Sequence, residues 1–191
     1  MQAEGYKIRN RYGIYSIIFA TVQWVDVFSR NCYVEIVLDS LRYCIKEKAF
    51  NAHAWCLMSN HLHLIMSCKN GNLSDVLRDF KKYTSGMITK EIKRNPQESR
   101  RNWMLWIFKQ AGANNSKNNQ YQFWQQDNRP IQLVSIAFTL SKLEYIHHSP
   151  VLAGMVEKSV DYLLSSARDY NGTIGSLPIK HLTAAYSFHK S

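Results

Sequence analysis

Two histidines one residue apart, His61 and His63, follow a Ser59-Asn60 pair in the run AWCLMSNHLHLIM. Successive side chains of a strand point to opposite faces, so His61 and His63 project together while Leu62 and Leu64 project the other way. Neutral imidazoles are common ligands of divalent ions, so the pair offers part of a metal platform. An isolated H-x-H pair on a strand often arises by chance. What singles this one out is its setting, with a basic helix next in sequence and a second reactive group near residue 145. There Tyr145, His148 and Ser149 lie within one helical turn, off the stripe formed by Ile136, Leu140, Leu143 and His147. A phenol so placed could reach a phosphate held by a metal on His61 and His63. The ordinary alternative is an amphipathic tyrosine with its ring packed and its hydroxyl wet. A free phenol has a pKa of about 10 and needs help to ionise. The metal, Lys142, His147 or His148 could provide it.

These groups need a frame. Ile14 to Trp24 is rich in β-branched and aromatic residues and predicts a first strand. Val34, Val37, Leu38, Leu41 and Ile45 recur at helical spacing between Cys32 and Lys48. Asn51 to Met58 and His61 to Ser67 predict a hairpin closed by the two-residue turn Ser59-Asn60. Ser74 is a suitable N-cap for a helix reaching about Lys93, with Val76, Leu77, Phe80, Tyr83, Thr84 and Met87 inward. A basic helical piece from Ser99 to Gln110, a polar loop from Ala111 to Asn119 and a strand over Tyr121 to Gln126 follow. Ser135 caps a helix that Pro150 ends near His148. Residues 151–191 read as an extension of short turns. Strand, helix, hairpin, helix, strand, helix is an α+β order, and a ferredoxin-like antiparallel sheet with helices packed on it matches it best.

At 191 residues the chain can bury one sizeable core, and 46% hydrophobic residues fit an ordered fold rather than a disordered tail. No apolar run reaches the roughly 18 residues of a membrane span, and no secretory leader is recognisable, so a cytoplasmic protein without a membrane partner is expected. The formal charge of +10 favours a polyanion. That charge is concentrated between Arg78 and Lys109, where Lys81, Lys82, Lys90, Arg100 and Arg101 are the candidate phosphate contacts. Trp103, Trp106, Tyr121, Phe123 and Trp124 could stack on unpaired bases, although core packing is the commoner fate of such residues. Cys32, Cys44, Cys56 and Cys68 are twelve apart and form no C-x-x-C pair, so reduced cysteines are expected.

The segments AWCLMSNHLHLIMS, LSDVLRDFKKYTS and LEYIHHSPVLAGMVEKSVDYLLSSARDY together resemble the HUH single-tyrosine transposases, in particular the REP-associated tyrosine transposases and their close bacterial relatives. The resemblance runs from about Ile14 to Tyr170. It implies a catalytic domain over residues 1–150, with 151–191 packed on it as an extension. His61 and His63 match the metal-binding histidines, and Tyr145 matches the nucleophile that joins to a 5′ phosphate of single-stranded DNA. The third ligand of the family, an amide or carboxylate one turn after the tyrosine, falls on Ser149, a poorer ligand; His148 is the substitute at hand. The implied cofactor is magnesium or manganese, and the implied partner is single-stranded DNA with hairpin or palindromic elements. Exposed apolar surface on the hairpin would suit a homodimer. The competing reading is a non-catalytic or domesticated nucleic-acid-binding protein derived from such a transposase. A phosphoesterase using water is disfavoured, since it leaves Tyr145 without a role.

Overall fold

The computed structural model describes residues 8–113, 120–126 and 128–182. Its elements are β1 (Tyr15–Ala20), α1 (Asn31–Glu47), β2 (Phe50–Leu57), β3 (His61–Cys68), α2 (Leu73–Arg94), α3 (Arg101–Ala113), β4 (Ile131–Gln132), α4 (Ile136–Leu152) and α5 (Ala167–Tyr170). The strands form one antiparallel sheet in the order β2-β3-β1-β4. Helix α1 connects β1 to β2 and leaves a slot between them that β3 fills, which is the split βαβ arrangement of ferredoxin-like folds.

Strand alternation divides the molecule into two layers. Ile17, Phe19, Leu62, Leu64, Trp55 and Leu57 join α1, α2 and α3 in the larger core. Ala54, Cys56 and Ile65 point the other way and pack with Leu143 and Ile146 of α4 in a smaller core. His63 lies opposite Ile18 and Cys56, and His61 opposite Ala20, so both imidazoles share the α4 side. Helix α4 covers β2 and β3 but leaves Ile18 on β1 40% exposed. The result is an open floor beside the histidines.

Several expected boundaries shift. Strand β1 stops at Ala20 because residues 22–24 form a tight turn. Asn72 takes the cap position of α2, so Ser74 lies inside that helix, and Tyr83 and Met87 face solvent while Ile88 and Ile92 fill the core. No strand forms over Tyr121 to Gln126. That segment makes a single isolated bridge, Trp124 to Thr21 just past β1, and the fourth strand comes later at Ile131–Gln132. In the expected loop at 111–119, Ala111 to Ala113 are helical and 114–119 lie outside the described residues. Ser135 caps α4 as expected, its hydroxyl accepting from the Phe138 amide at 3.3 Å. Pro150 does not end the helix. One missing N–H near a C-terminus costs a single bond, and Gly154, at φ 68°, turns the chain two residues after Leu152.

The extension guards the outer edge of β2. The amide of Leu57 donates to Leu164, Ser166 to Trp55 and Lys180 to Ala52, all within 2.9 Å. Pairing an edge in this way removes a template for aggregation. All four cysteines are free.

Candidate active site

The hairpin turn positions the imidazoles. The Met58 amide donates to the His61 carbonyl at 2.8 Å across Ser59-Asn60. The Asn60 side chain then orients both of its neighbours. Its Nδ2 donates to the Trp24 carbonyl at 3.2 Å, which fixes the amide so that Oδ1 faces His61 Nδ1 at 2.6 Å. An amide oxygen only accepts, so Nδ1 of His61 carries the proton and Nε2 the free lone pair. The two Nε2 atoms of His61 and His63 lie 2.9 Å apart. Burial lowers the pKa of both rings, and for His63 burial, His61 and Lys142 together push it down to about 3. Neutral, convergent imidazoles can share one proton as N–H···N or converge on one cation. With metal–nitrogen bonds of about 2.1 Å, this spacing would subtend roughly a right angle at the ion, as in an octahedron. Imidazole nitrogens are borderline donors, so the pair would suit manganese better than magnesium, with oxygen ligands still needed to complete a shell. No group of three His, Cys, Asp or Glu side chains suited to holding a metal occurs among the described residues.

Helix α4 brings Tyr145 onto this pair. Leu143 and Ile146 are buried and anchor the helix, which leaves Tyr145 49% exposed with its ring centroid 5.6 Å from that of His63. Lys142 Nζ lies 5.7 Å from the Tyr145 ring centroid. The remaining candidates separate around the helix. Ser149 is buried and its hydroxyl donates to the Tyr145 carbonyl at 2.7 Å. His148 is exposed. His147 is within hydrogen-bond reach of Ser166 Oγ at 2.9 Å, and burial pushes its pKa down to about 4. The single shared face expected for Tyr145, His148 and Ser149 is therefore not formed, because the buried stripe of α4 runs Thr139, Leu143, Ile146, Ser149 and Pro150.

Two residues of the site were not singled out in the sequence. Asn60 follows directly from its place before His61, and an amide adjoining an H-x-H pair is a usable signal. Trp24 had none, because it was expected at the end of a strand. It is 53% exposed and packs against His61 in a T-shaped pair, with ring centroids 5.4 Å apart. Gln23 and Trp24 both take positive φ, 51° and 56°. Left-handed backbone costs a non-glycine residue on the order of 1–2 kcal/mol. Four rings thus follow one another in the order Trp24, His61, His63, Tyr145.

The basic candidates lie on the other side of the sheet. Lys81 is occupied, since its ammonium donates to the Gln125 carbonyl at 2.9 Å and to Asn128 Oδ1. Burial lowers its pKa to about 8. Arg100 pairs with Asp26 at 2.7 Å and with the buried Glu98 at 3.3 Å. Lys82 and Lys90 are exposed and line a groove of about 1040 Å³, together with Phe19, Lys93 and Tyr121. Arg101 is half-buried at the start of α3. Phe123 and Trp124 are core residues, whereas Trp103 and Trp106 are at least half exposed. No helix among the described residues is long and apolar enough to cross a membrane.

A family model described as an IS200-like transposase matches residues 11–121, which include His61 and His63 and stop before Tyr145. The solved structure of a REP-associated tyrosine transposase bound to a REP hairpin aligns with a TM-score of 0.63 at 14% identity. That alignment covers 94% of this chain and 93% of the other, a likeness of fold. A putative transposase from Deinococcus radiodurans R1 aligns with a TM-score of 0.44 at 16% identity, over 76% of this chain and 95% of the other. No curated protein matches.

Proposed function

Because the chain belongs to the IS200-like transposase family, we propose that it cleaves and rejoins single-stranded DNA through a covalent 5′-phosphotyrosine on Tyr145. The observation that carries this reading is the half-exposed Tyr145 ring standing 5.6 Å from His63, beside two imidazoles whose Nε2 atoms converge. In the cleavage step Tyr145 Oη forms a bond to phosphorus as the bond to the 3′ oxygen breaks. The phenol loses a proton and the departing 3′ oxygen gains one. No water is consumed, so a 3′ hydroxyl can reverse the step and join strands without a nucleotide triphosphate. A divalent ion, magnesium or manganese, would polarise the phosphate and offset its developing charge.

This chain supplies the remaining parts. His61 and His63 would hold the ion through Nε2, with Asn60 fixing the ring of His61. Lys142, its Nζ 5.7 Å from the Tyr145 ring centroid, would offset negative charge on a phosphate bound there. His147 is turned toward Ser166 and takes no part. Ser149 could ligate only with a hydroxyl already bonded to the Tyr145 carbonyl, and His148 only by turning from solvent, so water and DNA oxygens would complete the shell. Lys82, Lys90 and Arg101 are the phosphate contacts best placed to bind DNA. Lys82 and Lys90 face away from Tyr145, so they would grip DNA beyond the cleavage point, as a hairpin stem would require. The relative solved with a REP hairpin supports a hairpin partner.

The test uses labelled single-stranded DNA from the flanks of the protein's own coding sequence, with manganese. Wild type is expected to form an adduct that survives boiling in detergent, and Tyr145→Phe to form none while binding the DNA within about twofold. An adduct on Tyr145→Phe would refute the assignment. That no third His, Cys, Asp or Glu joins His61 and His63 in a metal-holding group among the described residues favours a second reading, a binding protein that has lost cleavage. In that case wild type and Tyr145→Phe would bind equally and neither would form an adduct.

A further inference from the structure

We propose that Trp24 is a stacking platform for the unpaired base of the nucleotide that carries the departing 3′ oxygen, an inference resting on strand cleavage at Tyr145. Trp24 and Tyr145 occupy opposite ends of the ring row, with His61 and His63 between them. Phosphoryl transfer places the attacking and leaving oxygens roughly in line. A phosphate seated over the imidazoles and attacked from the Tyr145 end therefore expels its 3′ oxygen toward the Trp24 end.

Exposure alone does not select Trp24, because Trp103 and Trp106 are as exposed on α3. Its backbone does. Gln23 and Trp24 both hold left-handed φ, while Val22 and Val25 on either side are buried. Relaxing that turn would release strain and would free the indole to pack. Instead the turn is pinned by the Thr21 hydroxyl, which donates to the Val25 carbonyl at 2.8 Å, and by the Asn60 amide on the Trp24 carbonyl. Strain kept by surrounding bonds at a reactive site is a mark of function. One amide side chain, Asn60, thus sets the indole and the imidazole of His61 relative to each other. The two rings meet at 78°, so the imidazole covers at most one face of an indole that is 53% exposed, and a base can stack on what remains open.

The experiment combines protein and DNA deletions. The wild-type adduct assay maps the cut. Binding is then measured in the Tyr145→Phe background, with Trp24 intact or replaced by Ala or Phe. The probes are the intact strand and strands with an abasic residue immediately 5′ or immediately 3′ of the cut. Removing the 5′ base is expected to weaken binding roughly tenfold when Trp24 is present and by less than about twofold in Trp24→Ala. Trp24→Phe should restore most of the loss, and manganese affinity should stay within about twofold throughout.

Coupling to the 3′ base, no coupling at all, or loss of manganese affinity in Trp24→Ala would each overturn the proposal. The last would show that the indole merely braces His61. Normal adduct formation without coupling at the 5′ base removes Trp24 alone. If wild type forms no adduct, the abasic residue is moved through every unpaired position. Coupling to Trp24 at one of them would then show stacking while removing both the cleavage reading and the assignment to the departing nucleotide.

Discussion

At the scale of single residues, the site has two strong nitrogen donors and a shortage of oxygen ones. Serine is a weak ligand, and the Ser149 hydroxyl closes the last turn of α4 on the Tyr145 carbonyl. An asparagine at 149 would offer a carbonyl oxygen reaching one bond further. Ser149→Asn is therefore expected to tighten manganese binding several-fold in titration calorimetry and to raise adduct yield with it. An unchanged affinity would place residue 149 outside the ligand shell. The pair His61 and His63 could be read in the sequence because strand alternation is a local rule. Trp24 could not, since its exposure depends on a turn held by Asn60, thirty-six positions away.

At the scale of elements, function depends on how firmly α4 is seated. Its contact with the sheet is the smaller core, in which Leu143 is fully buried against Ala54, Cys56, Ile65 and Ile146. Leu143→Ala should cost about 3 kcal/mol and lower the thermal midpoint by roughly 10 °C. Because Tyr145 rides on the same helix, adduct formation should fall by more than DNA binding does. An equal fall in both would mean that Leu143 supports the whole fold and not the nucleophile. The end of α4 also shows where local signals fail. Pro150 reads as a stop, but a proline in the last turn forfeits only one bond, and tertiary contacts carry the helix to Leu152.

At the scale of the molecule, buried histidines set the acid response. His53 lies within hydrogen-bond reach of the Lys180 carbonyl and Ser67 Oγ, and burial holds its pKa below the ordinary value near 6.5. His147 is pushed by burial to about 4. Unfolded, both would bind a proton near pH 6.5. Below that pH the unfolded chain holds more protons than the folded one, so stability falls as pH falls. The loss approaches about 1.4 kcal/mol per pH unit for each histidine. Thermal midpoints should be level from pH 8 to 7 and drop clearly by pH 5. A rise on acidification would mean that these rings are charged in the fold.

The sequence by itself determined the α+β order, the hairpin, the shared direction of His61 and His63, and Tyr145 as a tyrosine off the apolar stripe of its helix. Each follows from periodicity within a dozen residues. Only the tertiary structure decided which groups meet. Packing of α4 on one layer put Tyr145 against His63, turned His147 toward the extension and left Ser149 bonded within its own helix. Packing of α2 on the other face of the sheet put Lys81 and the basic groove in the opposite layer. Such pairings join elements distant along the chain, and what selects them is which apolar faces can be buried together.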